Sequence, residues 1–395
     1  MKKSLSPRLQ QVEQQFYEQG GEWQAFRLNK LFRDIKRGDI QNQGLLVEDS
    51  KGIAFIAQND SGNGFVTRVL NDKQYREFNG NSIIVGRQTG IVYFQPEKFV
   101  TTDGVLVLEP SEFDLNKLSG LFFTAVLQNH LNHFGYTNTV SAQKLNEIEL
   151  ILPAIKSKIA FNFMEKFIKA LEAERIETLE AYLLVSGFKD YKLIQEEEEA
   201  LEVFDKQQWQ EFRIGDLFDR VKTKKLPYKA KELPKEPQEE FSLPALTSSF
   251  MNQGLNYYVP KEGATVLQNV ISIPSNSDVY RAYFQSQEFT VLSDAYAIDW
   301  IGSDKQLRPN DYLFIVPSIN KVTDLPIYSY KNKLGGWNVV KDKLIKLPVN
   351  EKGEIHFDYM ATLVQAIKKL AIKEVVLYTD RQIEVTKEVV QKGRK

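Results

Sequence analysis

The feature that most constrains the fold is that the chain writes one pattern twice, and a repeat decides architecture before any single motif does. The run Glu22-Trp23-Gln24-Ala25-Phe26-Arg27-Leu28-Asn29-Lys30-Leu31-Phe32 returns as Gln208-Trp209-Gln210-Glu211-Phe212-Arg213-Ile214-Gly215-Asp216-Leu217-Phe218, with Trp, Gln, Phe, Arg, Leu and Phe in register. Tryptophan occurs only 4 times in 395 residues, so two at matching places mark duplication rather than chance. Further along, Asn81-Ser82-Ile83-Ile84-Val85 answers Asn269-Val270-Ile271-Ser272-Ile273. Tyr93-Phe94-Gln95 answers Tyr283-Phe284-Gln285, and Phe99 answers Phe289. Each copy closes on a Leu-Pro, at Leu152-Pro153 and Leu347-Pro348. The spacing between matched positions widens in small steps, as loop insertions in a duplicated domain require.

Each copy has the size of one domain. A 42% hydrophobic content with 25 Phe and 17 Tyr supplies real cores and excludes a mainly disordered chain. Inside the first copy, Ile53–Ile56, Ser82–Val85, Val92–Phe94 and Val105–Leu108 are short β-branched and aromatic runs between Gly, Asn and Pro, which predicts strands. Leu115–Leu131 reads as helix. The predicted class is α+β.

After each Leu-Pro the pattern changes. Ala154–Val185 carries Ile155, Ile159, Phe163, Phe167, Ile168, Leu171, Ile176, Leu179 and Leu183 mostly three or four apart, which is helical periodicity. Pro153 suits the start of such a helix and Gly187 its end. Phe357–Val390 follows the second copy, with Met360, Leu363, Ile367 and Leu370 spaced 3-4-3 as in a coiled-coil seam, and with a locally strand-like Val375–Tyr378. Two helices of that length are each about 50 Å long. As equivalent parts of a repeat they can pair antiparallel, Phe163, Phe167 and Leu171 facing Leu363, Ile367 and Leu370; the other arrangement folds each onto its own domain. Glu196–Glu199 with Glu202 is expected to be a solvated linker. The resulting division is an N-terminal extension (1–21), a first domain (22–153), a central helix and acidic linker (154–207), a second domain (208–349) and a C-terminal helix (350–395).

The chemistry is sparse. There is no cysteine, so disulfides, thiolate nucleophiles and cysteine-based zinc sites are excluded together, and histidine is limited to His130, His133 and His356. His130 and His133 lie three apart with no counterpart in the second copy, and are read as ordinary helix residues rather than metal ligands. No Pro-Pro occurs for an amino-methyltransferase motif, and no G-x-x-x-x-G-K phosphate loop exists. The longest apolar stretch, near Leu121–Leu127, is far short of a membrane span. The polar run after Met1 predicts no signal peptide, hence a soluble cytoplasmic chain.

The doubled order Trp-x-x-Phe-x-(Leu/Ile)-x-x-Leu-Phe, a turn near Asn63-Gly64, Tyr-Phe-Gln before a Phe, a closing Leu-Pro and a long helix resembles the specificity (S) subunits of restriction–modification systems. These are type I systems, or type IIB-like ones whose separate recognition subunit serves a fused nuclease–methyltransferase. The resemblance runs from about Glu22 to Val390; Pro227–Ser242, rich in Pro and Glu, has no counterpart in the first copy. It implies that each domain is a target recognition domain reading one half of a bipartite double-stranded DNA site. It further implies that the two helices pair antiparallel, set the spacing and dock the methyltransferase subunits. The chain itself would then carry no catalytic residue, metal or cofactor, the partner using S-adenosylmethionine, and the biological role would be DNA methylation and phage defence. A protein-binding scaffold with duplicated domains on a coiled-coil spacer fits the same architecture without DNA.

The net charge of −1 is neutral on this question, because non-specific DNA affinity comes from phosphate neutralisation and this chain alone carries little of it. Local clusters say more. Basic loops follow both Trp–Phe blocks: Lys36 and Arg37 in the first copy, Lys222, Lys224 and Lys225 in the second. They are candidate phosphate clamps. Amide- and hydroxyl-rich turns are candidate base readers, since Asn and Gln pair with adenine and Arg with guanine in the major groove. These are Gln58, Asn59, Arg87, Gln88 and Thr89 in the first copy, and Thr247, Ser248, Asn276 and Arg281 in the second. The copies differ most in these turns while their apolar frames match. Trp23, Trp209, Phe26 and Phe212 are read as core rather than as base-stacking platforms.

Overall fold

The computed structural model describes residues 5–392 apart from 72, 73, 276, 278, 279, 326, 328–330, 333 and 334. The chain forms two compact units. One holds the residues up to Tyr182 together with those from Gln382 on; the other is Leu183–Arg381.

The first unit opens with α1 (Pro7–Glu18), capped by the Ser6 hydroxyl, which accepts from the Leu9 N–H. Then come β1 (Gly21–Arg27), the single turn α2 (Leu28–Leu31), β2 (Phe32–Arg37), β3 (Glu48–Ile56) and β4 (Phe65–Val69). β5 (Ser82–Gly86), β6 (Val92–Gln95), β7 (Phe99–Thr101) and β8 (Val105–Pro110) complete the sheets. α3 (Lys117–Leu131), α4 (Ala142–Asn146), β9 (Glu149–Ile155), β10 (Lys158–Ile159) and α5 (Phe161–Val185) follow. β2-β8-β5-β6 form one antiparallel sheet and β4-β3-β7 another, in which β3 runs parallel to β7. β1 pairs with β9, setting Trp23 opposite Pro153. Leu28, Phe32, Ile83, Val85, Phe123 and Leu127 are buried in one core between the four-stranded sheet and α3.

The second unit repeats this order. α6 (Gln195–Glu202), β11 (Trp209–Arg213), α7 (Ile214–Leu217), β12 (Phe218–Arg220), β13 (Leu243–Leu246), β14 (Leu255–Val259) and β15 (Val270–Pro274) come first. β16 (Tyr283–Gln285), β17 (Thr290–Val291), β18 (Ala295–Trp300), α8 (Pro309–Thr323), α9 (Trp337–Val340), β19 (Leu344–Pro348) and α10 (Phe357–Lys392) close it. The sheets are β12-β18-β15-β16 and β14-β13-β17, β13 is again parallel to β17, and Trp209 again lies opposite a proline, Pro348. Finer devices recur too. Asn81 and Asn269 both stand immediately before their strands, β5 and β15, at left-handed φ, 58° and 55°. The Gln95 amide donates to the Asn63 carbonyl at 2.9 Å and the Gln285 amide to the Gln253 carbonyl at 3.2 Å, which explains why Tyr-Phe-Gln recurs. The duplicated α+β fold is thus visible down to single hydrogen bonds.

Four expectations change. Pro153 does not start a helix. The stretch from Glu149 alternates exposed and buried side chains through Leu152, the period of a strand, and β9 runs on to Ile155. Lys156 and Ser157, both at left-handed φ, then turn it back into β10 before α5 begins at Phe161. The acidic run is not a solvated linker: it is the helix α6, with Glu197 3% exposed. The two tryptophans are not interior. Trp23 is 41% and Trp209 37% exposed, each stacked on a helix aromatic, Phe122 at 6.4 Å and Phe314 at 6.1 Å between ring centres. They cover the core from its edge, while Leu28, Leu31 and Phe32 and their counterparts fill it.

The fourth concerns the six helix residues expected in one seam. Phe163 and Phe167 belong to the core of the first unit, Phe163 stacking on Phe16 at 4.3 Å, and Leu171 is half-buried. Leu363 packs with Ala200 and Tyr359 in the second unit, whereas Ile367 and Leu370 are 51% and 47% exposed. The first turns of each long helix are the last layer of its own domain. Met360 and Leu363, the first two residues of the 3-4-3 run, take part in that packing, and Ile367 and Leu370 do not.

Candidate nucleic-acid interface

The sequence-derived candidates of the first copy converge on one end of its sheets. β5 ends at Gly86, and the chain turns through 87–91 into β6, closed by Gly86 N–H donating to Ile91 O at 2.9 Å and Gly90 N–H to Gly86 O at 2.9 Å. Gln58, two residues beyond β3, engages this turn with both ends of its amide. Its Nε2 donates to Gln88 Oε1 at 2.7 Å, and its Oε1 accepts from the Gln88 backbone N–H at 3.0 Å. The exposed Gln88 keeps its own NH2 without a hydrogen-bond partner among the described residues, aimed by Gln58. Asn59 is exposed beside it. The Arg87 backbone is fixed on both sides, its N–H donating to Gly104 O at 2.9 Å and its carbonyl accepting from Val140 N–H at 2.7 Å. Thr89 departs from its expected role: its hydroxyl is buried under Gly86, where a Cβ would stand 2.3 Å from it. It shapes the turn and is not presented.

Both basic residues of this copy are already occupied. Arg37 Nη2 lies 2.8 Å from the Asp103 carboxylate, and Lys36 Nζ lies 2.9 Å from Glu109. Burial pushes the Glu109 carboxyl up, but hydrogen bonds from Lys36 and Asn79 and the Lys36 charge more than offset this, so it sits below the ordinary carboxylate range.

In the second copy the same framework carries different side chains. Ser275 N–H donates to Asp294 O at 2.8 Å, the bond that Arg87 makes to Gly104; Thr247 N–H donates to Gly254 O at 2.9 Å, as Ala57 does to Gly64 at 2.8 Å. Ser275 therefore occupies the place of Arg87, and Ser248 that of Gln58. Asn276 lies outside the described residues. Thr247 Oγ1 accepts from Asn256 Nδ2 at 2.9 Å. Arg281 is ion-paired, both its Nε and Nη2 donating to Asp324 at the end of α8, at 2.9 and 2.7 Å. Lys222, Lys224 and Lys225 are exposed, and among the described residues no carboxylate pairs with them.

Two features of the first-copy rim have no signal in the sequence, and a third, the polar run Tyr136-Thr137-Asn138, has only a weak one. Asp103 and the Arg76 guanidinium, which donates to Arg37 O at 3.3 Å, organise the basic loop, and charge counting alone gives no sign of either. Tyr136 is 78% exposed at the tip of a loop closed by mutual Gly135–Asn138 backbone hydrogen bonds of 3.1 Å. That loop reaches the Arg87 turn through Val140; the Gly-Tyr-Thr-Asn composition was the available signal. Among the described residues no three His, Cys, Asp or Glu side chains cluster to hold a metal, and no helix is long and apolar enough to cross a membrane.

Residues 20–181 match the family model of the type I restriction modification DNA specificity domain. The resemblance to restriction–modification specificity subunits holds. The match spans the first copy and most of α5, the repeat unit that the sequence delineates. A type II restriction enzyme specificity subunit of Heyndrickxia coagulans, S.BcgI, is 18% identical over 340 residues, covering 86% of this chain and 92% of that protein. The crystal structure of a type I restriction–modification S subunit from M. genitalium is similar with a TM-score of 0.51 at 14% identity, covering 93% of this chain and 94% of the other. At that identity the likeness bears on fold alone: two duplicated α+β domains, each followed by a long helix.

Proposed function

We propose that this specificity subunit reads a bipartite duplex, one half-site per unit, and that α5 and α10 pair to set the spacing and dock the subunit that methylates or cuts. What carries the reading is one observation. Two units with the same topology and the same loop-fixing hydrogen bonds carry different side chains at equivalent positions of the rim, Gln58 and Arg87 in one and Ser248 and Ser275 in the other. A scaffold that binds one partner twice has no reason to keep the frame and vary only the rim; a reader of two different half-sites does. The chain supplies positioning and recognition, and the chemistry belongs to its partner.

The direct test is methyl transfer from labelled S-adenosylmethionine. The purified chain should transfer none, and its complex with a methyltransferase-bearing partner should methylate adenine within a split site. Transfer by this chain alone would overturn the assignment, and an absence of salt-dependent duplex binding would favour the scaffold.

A further inference from the structure

The two basic clusters follow equivalent Trp–Phe blocks but differ in placement and in electrostatic state: Lys36 and Arg37 end β2, paired with Val107 and Leu106 of β8, whereas Lys222, Lys224 and Lys225 lie past the end of β12. Counterion release counts uncompensated charge. A guanidinium with a carboxylate 2.8 Å away brings no net charge to a phosphate, because the phosphate meets Asp103 as well as Arg37. Lys36 is neutralised by Glu109 in the same way. In the second unit the chain leaves β12 with Val221 N–H donating to Ala297 O at 2.9 Å, and is held again where Lys224 N–H donates to Thr265 Oγ1 at 2.9 Å. Lys222, Lys224 and Lys225 are therefore presented on a fixed backbone. Val221 bonds Ala297 two residues past Ala295, where β18 begins beside Ser275. The strip thus starts at the rim that carries the candidate reading residues.

We infer that the sequence-independent grip on the DNA backbone is unequal: the second unit supplies it through Lys222, Lys224 and Lys225, while Lys36 and Arg37 at the end of β2 in the first unit are ion-paired to Glu109 and Asp103 and brace the sheet. This deepens the proposed function and rests on it. A reader built this way draws more of its backbone grip from one half-site than from the other.

The experiment uses the full chain and a fluorescent duplex of random sequence, so no target need be known, with affinity measured at several salt concentrations. Replacing Lys222, Lys224 and Lys225 together by Gln should lower the slope of log affinity against log salt by about 0.9 for each phosphate no longer neutralised, so by about 2 to 3. Removing one pair whole, Arg37→Gln with Asp103→Asn, should leave the slope unchanged and lower the melting temperature. If that double variant is too unstable to assay, Asp103→Asn serves instead: it frees the Arg37 charge and should raise the slope by about one. Equal reductions from both clusters, no reduction from the lysine triple variant, or no gain with Asp103→Asn would overturn the unequal grip while leaving DNA reading intact. A wild-type chain without salt-dependent binding would instead remove the reading on which the inference rests.

Discussion

Glu109 shows at the scale of one residue why charge counting misleads. The sequence offers a basic loop; the fold places Glu109 and Asp103 against it from β8 and the preceding turn, far away in sequence. A pairing across so many residues leaves no local signature. Its consequence appears in pH. Because the folded Glu109 carboxyl is held below its ordinary value, its contribution to stability is fully present above the unfolded pKa, about 4.3, and is lost as pH falls through the folded value. Glu109→Gln should therefore flatten the acid limb of stability in urea unfolding followed from about pH 6 to 3; an unchanged limb would mean the pair contributes nothing. The Arg87–Gln88 turn was legible because its composition is that of a polar turn between strands. That Gln58 positions Gln88 was not, since the two lie on different sheets. Thr89 and Arg281 were named by type alone; the burial of the Thr89 hydroxyl and the Asp324 partner of Arg281 come from residues distant in sequence.

At the scale of elements, strands were easiest to read and helix starts hardest. Short β-branched runs between Gly and Asn predict β3, β5, β6 and β8 because a buried strand needs little else. The alternation through Glu149-Leu150-Ile151-Leu152 was also present, but a helix-friendly proline and the long periodic run behind it obscured the strand. α6 is the instructive case. Four glutamates in a row look solvated, yet Glu197 faces Lys369 of α10 at 3.0 Å, with side-chain exposures of 4% and 10%, and Lys369 also donates to the Lys192 carbonyl at 2.9 Å. One face of an otherwise charged helix is enough to dock it. Removing a single partner of a buried pair leaves the other charge uncompensated. Lys369→Met should cost about 3–5 kcal/mol in urea unfolding. Adding Glu197→Gln should recover part of that cost. If the single and double variants were equally destabilised, the cost would lie in packing rather than in charge.

For the molecule as a whole, the duplication was legible because packing preserves it. Trp, Phe, Leu and Pro recur in register since each fills the same place in each unit, and the exposed turns, free of that constraint, diverged. This asymmetry between frame and rim has a functional consequence that can be measured. If the rim of each unit reads its own half-site, Arg87→Ala or Gln88→Ala should relax preference at base pairs of one half, at about 1–3 kcal/mol of discrimination per position. Substitutions at Thr247 or Ser248 should relax the other half only. Because the two sets lie in separate units with no shared partners, combining them should give additive effects, within about 0.5 kcal/mol. The measurement is competition binding with duplexes altered in one half-site at a time, using the complex that methylates. Weakened discrimination at the same base pairs by both sets, or a strong departure from additivity, would mean that the two units act on one shared element of the DNA. The repeat would then serve symmetry of assembly rather than a division of reading.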